Sequence, residues 1–331
     1  MTLKSPYTGK PMRVVYEPAV WNMRGEKYKY THIAFRDDET GEQFTTTESD
    51  TVCYEQVTNQ YREKHGIPYT DEIIALRERY GVSASKMSLI LGFGTNQYRL
   101  YEMGEVPSES NGKMIRSAMN PKVFLDLVES SRNELTDKEL EKIKKNVQSV
   151  IDASREWKDE TWNCQLLFQT KRGHLNGYAP VSSIRVKNLL LYVLEQLGET
   201  FQTKMNKVLF YIDFLAYREQ GRSISGLSYV AIDFGPVPQR WNRVYSCFDE
   251  VLPQSRLVKE QECTVLTAIA KADTSFFSEK EKNLIDSVCA KLKGVNANRV
   301  SEMSHKETAW LNHHNSTSPI PFEEAFSLKL F

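Results

Sequence analysis

Residues 82–104 place two short helical patterns on either side of a Gly-Phe-Gly break. Ser83 or Ser85 is suited to cap the first helix and Thr95 the second, because a hydroxyl oxygen accepts hydrogen bonds from the exposed amides at a helix start. Two short helices joined by such a tight turn are typical of the helix-turn-helix motif, in which the second helix enters the major groove of DNA.

The second of these helices has two distinct faces. Tyr98 and Tyr101 share one face and are predicted to be buried. Asn96, Arg99 and Leu100 point away from it, where Asn suits adenine, Arg suits guanine and an apolar side chain suits the thymine methyl group. The predicted DNA-binding residues are Lys86, Thr95, Asn96, Gln97, Arg99 and Leu100. The alternatives are an ordinary exposed helix end and, for Lys86, either a phosphate contact or no role.

Composition does not require a polyanionic partner. The chain has 331 residues, with 43 basic and 43 acidic side chains, and the two charge types also nearly balance within residues 70–130. Because strong nonspecific DNA binding needs several cations against phosphates, we expect a homodimer that combines two modest half-sites. The five scattered cysteines lack metal or redox spacing, so we expect neither a metal nor a cofactor. Without a long apolar segment, we expect a cytoplasmic protein that does not bind membranes.

The order of patterns predicts an α+β fold that is mainly α. A small β-rich module is expected over residues 1–60 and a helix-turn-helix bundle over 61–130. A charged helical linker should follow over 131–180, and a mostly helical domain with a short sheet over 181–331. Within the first module, the predicted strands are Arg13–Glu17, Tyr28–Phe35 and Gln43–Thr47.

The last domain opens with the clearest periodicity in the chain. Apolar residues from Met205 to Ala216 recur at helical spacing and predict a buried helix that ends near Gly221. An alternating segment, Ser228–Phe234, predicts a strand that Gly235-Pro236-Val237-Pro238 stops. Further on, Ser278 and Glu281 have the spacing of a capping box.

The segment around the Gly-Phe-Gly turn resembles the DNA-binding half of MqsA-type antitoxins. The resemblance extends to the N-terminus, where that family carries two pairs of zinc-binding cysteines and this chain has Ser5, Thr8, Asp37 and Thr40. Such a module would have to fold without zinc, because hydroxyls and one carboxylate do not hold the metal tetrahedrally. The resemblance also places the family's base-reading Asn at Asn96. The family's Arg position falls on Leu100, and Arg99 is expected to replace it.

The C-terminal half resembles the Panacea, or SocA-like, domain. Three blocks occur in the family's order: Lys207–Asp213, Tyr229–Pro238 and Ser304–Trp310. The resemblance implies a domain that neutralises a toxin protein by binding it. Candidate toxin-binding residues are Asp213, Tyr217, Arg240, Trp241 and His305.

Other roles remain open for some of these residues. Asp213 could be a general base, a partner-binding group or a buried acceptor that needs donors, and the last is favoured because its helix is apolar. The Gly-Pro-Val-Pro segment is either a binding loop or a rigid turn. His305 lacks the spacing of a metal-binding helix and is expected to order the last helix of the domain with Trp310.

Together, these patterns predict a type II antitoxin rather than an enzyme. It would bind its cognate toxin through the C-terminal domain and repress its own operon by binding operator DNA. The alternative is an adaptor that delivers a bound partner to a protease. A hydrolase that uses Asp213 and His305 is disfavoured, because no nucleophile stands beside a recognisable base.

Overall fold

The computed structural model describes residues 3–153, 158–169, 171–258, 261–316 and 318–331. With 52% of its residues in helices and 16% in strands of small antiparallel sheets, the fold is α+β and mainly α, as predicted. In chain order the strands and helices are β1 (Arg13–Met23), β2 (Glu26–Arg36), β3 (Gln43–Phe44), α1 (Thr47–His65), α2 (Thr70–Tyr80), α3 (Ala84–Ile90), α4 (Gln97–Glu102), α5 (Glu109–Ala118), α6 (Pro121–Ser130), α7 (Asp137–Ala153), α8 (Lys158–Leu167), α9 (Ser183–Leu197), β4 (Thr200–Phe201), α10 (Gln202–Gln220), β5 (Tyr229–Ile232), β6 (Gly235–Pro238), α11 (Trp241–Val244), β7 (Val251–Val258), β8 (Gln261–Ala268), α12 (Glu279–Leu292), α13 (Ala297–Ser304) and α14 (Thr308–Leu311).

The chain divides into two compact units. Unit 1 consists of Met1–Val57 together with Glu160–Phe331, and unit 2 is the continuous segment Thr58–Asp159. Unit 1 is therefore assembled from two stretches that are far apart in sequence.

The N-terminal part of unit 1 is a long hairpin. β1 and β2 are joined through Arg24 and Gly25, whose positive φ angles of 52° and 86° form a turn that matches the twist of the strands. The predicted strands 13–17 and 28–35 lie within these longer strands. β1 continues past Pro18 because it is an edge strand, where a missing backbone donor is tolerated.

The third predicted strand is shorter than expected. β3 ends at Phe44, and α1 begins at Thr47. Thr46 and Ser49 cap this helix reciprocally, since each backbone amide donates to the other residue's hydroxyl oxygen, at 2.9 and 3.2 Å. Because this cap stabilises a helix start, Thr45–Thr47 do not continue the strand as predicted.

The core of unit 1 is organised around α10. This helix is buried along almost its whole length and ends at Gly221, whose φ is 69°, as the periodicity predicted. Phe322, from the C-terminal segment, is fully buried and stacks on Phe214 with ring centroids 4.6 Å apart. The predicted capping box is also confirmed, because the Ser278 and Glu281 side chains each accept from the other's amide.

Two strand pairs in unit 1 differ from the sequence analysis. The prediction that the Gly-Pro-Val-Pro segment only stops a strand is wrong, because it forms β6 and pairs with β5. Pro236 and Pro238 are tolerated since β6 has β5 alone as a neighbour in the described structure. The β7–β8 ribbon was not predicted, although Thr264, Val265 and Thr267 are β-branched residues that favour a strand.

Unit 2 is a helical bundle with an apolar core. The predicted stripe of Ile73, Leu76 and Tyr80 on α2 is buried, and Tyr80 stacks on Phe124 with ring centroids 4.1 Å apart. The apolar stripe of α7, which lies in the segment expected to be a linker, packs into the same core. That stripe consists of Leu140, Ile143 and Val147.

Candidate functional site

The predicted helix pair is present in unit 2 as α3 and α4. Ser83 caps α3 by accepting from the Lys86 amide at 3.3 Å. A buried hydroxyl joins the two helices, because Ser88 Oγ accepts from the Tyr98 amide at 2.9 Å. Tyr98 in turn donates from its hydroxyl to the Ile73 carbonyl oxygen at 2.7 Å, which ties α4 to α2. These contacts fix the orientation of α4.

The two faces of α4 have the predicted burial. Tyr98 and Tyr101 are buried, whereas Asn96, Arg99 and Leu100 are exposed. The structure therefore presents the three proposed base-reading side chains to solvent.

The start of α4 differs from the prediction. Thr95 is exposed but does not cap the helix, because α4 begins at Gln97 and Asn96 is the N-cap residue. The Asn96 side chain makes no capping hydrogen bond. Gln97 is half-buried and donates to Glu105 Oε1 at 3.1 Å.

Lys86 is already engaged within unit 2. Its ammonium lies 3.3 Å from Glu139 Oε1 on α7. Hydrogen bonds from the Thr136 backbone and side chain, together with the one from Lys86, lower the pKa of Glu139. A phosphate contact by Lys86 would have to compete with this carboxylate.

A polar cluster in the N-terminal module consists of Ser5, Thr8, Asp37 and Thr40, the four positions at which the sequence analysis expects counterparts of zinc ligands. Thr8 donates to Asp37 Oδ2 at 3.0 Å, and Asp37 Oδ1 accepts from the amides of Glu39 and Thr40 at 2.8 and 3.3 Å. Hydrogen bonding by Ser5 and by the Glu39 amide lowers the pKa of Asp37 to about 2. These hydrogen bonds join the two turns. Among the described residues, no group of three or more His, Cys, Asp or Glu side chains could hold a metal.

Asp213 is a buried acceptor at the centre of unit 1. Its carboxylate accepts from the amides of Ile224 and Ser225 at 2.9 and 2.7 Å, from the Ser225 hydroxyl, and from the Tyr229 hydroxyl at 2.6 Å. Burial raises the pKa of Asp213, against the effect of these donors. The favoured interpretation of Asp213 as a structural acceptor agrees with this geometry.

A second buried carboxylate holds the C-terminal segment. Glu307 accepts from the Tyr211 hydroxyl at 3.2 Å and from the backbone amides of Lys329 and Leu330 at 2.8 and 3.1 Å. Burial and the neighbouring Glu307 raise the pKa of Tyr211. Sequence analysis includes Glu307 in the Ser304–Trp310 block but does not predict that it holds the C-terminal segment.

Two basic side chains near β6 each have a buried nitrogen atom without a hydrogen-bond partner among the described residues. Lys207 is fully buried and its Nζ has no hydrogen-bond partner in the described structure. Burial lowers the pKa of Lys207 to about 8. His305 Nε2 is likewise buried and unpaired, and burial, with the charge of Lys207, lowers the pKa of His305. As predicted, His305 packs with Trp310, and their ring centroids are 4.2 Å apart.

The other candidate toxin-binding residues differ in accessibility. Asp213 and Tyr217 are buried, so direct contact of their side chains with a partner is excluded in this conformation. Arg240 donates from Nη1 to the carbonyl oxygens of Gln165 and Leu166, both at 2.8 Å, at the end of α8. Trp241 remains 39% exposed and is the candidate best placed to meet a partner.

Within the described ranges, no helix is both long enough and apolar enough to span a bilayer.

Comparison with known proteins bears on unit 1. No curated protein and no solved structure matches the chain. One family model does match: residues 205–311, about a third of the chain, are similar to the antitoxin SocA-like, Panacea domain. The matched range runs from α10 to α14 and contains Asp213, Lys207, His305 and Glu307. The match supports a Panacea domain of the antitoxin type in the C-terminal part of this protein.

Proposed function

We propose that this protein is the antitoxin of a type II toxin–antitoxin system. It neutralises a cognate toxin by direct binding through unit 1 and represses its own operon through α3 and α4. The observation that carries the proposal is the match of residues 205–311 to the antitoxin SocA-like, Panacea domain. The protein acts by binding macromolecules rather than by catalysis.

The exposed face of α4 supports the DNA-binding half of the proposal. Arg99 on α4 and Asn96, its N-cap residue, are exposed, and Ser88 and Ile73 hold this helix in place. Since a single helix of this length contacts few bases, repression requires a homodimer with two recognition helices in successive major grooves.

The DNA-binding half is tested by fluorescence anisotropy with the DNA upstream of the gene. Replacing Asn96 and Arg99 together by Ala should lower affinity at least tenfold, because each bidentate base contact contributes about 1–3 kcal/mol. The matched control replaces Arg132 and Asn133, an exposed Arg and Asn elsewhere in unit 2. Equal binding by both double variants would refute base reading by α4.

The toxin-binding half is tested by co-expressing the full chain with the product of the adjacent gene. A stoichiometric complex and restored growth are expected. The full chain is required because Met1–Val57 belongs to the same compact unit as the Panacea match. Toxin lifetime should be unchanged in the complex, whereas protease-dependent loss of the toxin would indicate the adaptor alternative.

A further inference from the structure

Strand β8 has an open edge over half of its length. In its sheet, β8 lies between β4 and β7. β7 pairs with β8 from end to end, but β4 has only two residues and pairs with Val265 and Leu266. In the part of the chain that the structure describes, Gln261–Thr264 thus have a strand neighbour on the β7 side alone. Alternate residues of this segment direct their N–H and C=O groups away from β7.

The open edge borders a cleft of about 460 Å³. Phe201, at the end of β4, and the half-exposed Trp241 contribute aromatic surface to it. Three neutral residues with side-chain amides, Gln202, Asn296 and Asn298, line the cleft as well. A segment paired with Gln261–Thr264 is about 13 Å long, because a strand rises about 3.3 Å per residue. The cleft has room for several residues of such an extended chain.

The charge of the cleft selects against nucleic acid. Among the described residues that line it, Glu262 is the only ionic side chain, and a polyanion would need cations at that place. Neutral amides both donate and accept hydrogen bonds, which suits the alternating groups of a peptide backbone. Glu262 favours a basic side chain on the occupant.

The outer edge of β7 is a poorer docking site. It carries Pro253, which cannot donate a hydrogen bond, and the exposed, charged Arg256. Proline and charged side chains are features that discourage strand addition at an edge.

We propose that an extended segment of the partner protein binds in this cleft as an added strand along Gln261–Thr264, in line with β4. The segment places an apolar side chain against Trp241 and a basic side chain at Glu262. Main-chain hydrogen bonds give affinity in this mode of recognition, and side-chain contacts give specificity. The inference rests on the proposed function, which identifies the partner as the cognate toxin.

The experiment measures residue-level amide hydrogen exchange in the full chain, alone and in complex with the product of the adjacent gene. Backbone amides within Gln261–Thr264 should exchange at least tenfold more slowly in the complex, while those of Gln254–Leu257 on β7 should not change. Trp241→Ala should weaken the complex at least tenfold. Trp162→Ala, which removes another exposed tryptophan of unit 1, should have no such effect.

The outcomes separate the inference from the proposed function. A stable complex without protection of Gln261–Thr264, in which Trp241→Ala binds normally, overturns the strand addition and leaves toxin binding intact. Absence of any complex refutes the toxin-binding function and, with it, this occupant. Protection that grows with the concentration of the chain alone identifies a second copy as the occupant and likewise overturns the proposal.

Discussion

The backbone of Gly235 lies directly against the end of the Lys207 side chain. A Cβ at Gly235 would come within 2.8 Å of Lys207 Cε and 2.5 Å of Ser304 Oγ. The φ of Gly235 is 104°, a region that L-residues rarely adopt. Close packing and backbone conformation therefore both require glycine at this position.

Gly235→Ala is expected to lower the free energy of unfolding by about 2 kcal/mol or more, because strain and overpacking add at this site. Urea denaturation of the full chain measures the change. Gly294→Ala serves as the control: it also has a positive φ, of 79°, but no atom lies within 4 Å of the added Cβ. Equal losses in the two variants would contradict a packing role for Gly235.

Lys207→Met is expected to stabilise the protein. The buried ammonium has no partner in the described structure, and methionine fills a similar volume without a charge. A shift of the pKa from 10.5 to about 8 corresponds to roughly 3 kcal/mol. The exposed Lys306 provides the control variant Lys306→Met, for which no gain is expected.

The lowered pKa of Lys207 predicts that the free energy of unfolding depends on pH. Because the folded-state pKa of Lys207 is lowered, the unfolded chain binds the additional proton between about pH 8 and pH 10.5. The contribution of Lys207 destabilises the fold below pH 8 and is relieved as the pH rises through this window. The stability difference between Lys207→Met and the wild type should shrink between pH 8 and pH 10.5. A constant difference would show that burial does not lower the pKa of Lys207.

Asp213→Ala is expected to destabilise unit 1 by about 3 kcal/mol or more. The substitution leaves two buried amides and two hydroxyls without their acceptor, and each unsatisfied donor costs about 1–3 kcal/mol. Thermal unfolding is the measurement. Asp233→Ala removes an exposed carboxylate from the same domain and should be nearly neutral.

The cluster around Asp37 predicts an acid titration at the N-terminal module. Because hydrogen bonds lower the pKa of Asp37 to about 2, the cluster should remain intact above pH 4 and be lost as the pH falls toward 2. Amide proton shifts of Glu39 and Thr40, followed by NMR, should titrate with a midpoint near 2. Asp37→Ala should abolish the titration and Asp38→Ala should retain it. A midpoint near 4 would mean that the carboxylate does not hold the two turns.

Features that depend on residues close together in the sequence could be predicted, whereas features that depend on tertiary contacts could not. The apolar spacing of α10 and the burial of Tyr98 and Tyr101 were predictable, because helical periodicity is a local property. The favoured structural role of Asp213 also followed from its apolar surroundings. Its donors, at Ile224, Ser225 and Tyr229, are supplied by the chain that follows α10, and their identity needed the structure.

The errors have equally specific causes. Thr95 was a reasonable cap by residue type, but Ser88 accepts from the Tyr98 amide, and the helix starts at Gln97, one residue later than a Thr95 cap predicts. The prolines of β6 concealed a strand because an edge position tolerates missing donors. Lys207 could not be distinguished from a surface lysine by sequence, since only tertiary packing shows that it is buried.

The discontinuity of unit 1 has a consequence for biosynthesis. Thr58–Asp159 is a continuous segment, so a growing polypeptide completes unit 2 while most of unit 1 is still untranslated. The hairpin of β1 and β2 lacks the rest of its compact unit until the roughly one hundred residues of Thr58–Asp159 have been synthesised and Glu160–Phe331 follows. Nascent chains should therefore acquire the helix pair of α3 and α4 first, and the compact unit that contains the Panacea match last, after nearly the whole chain has been synthesised.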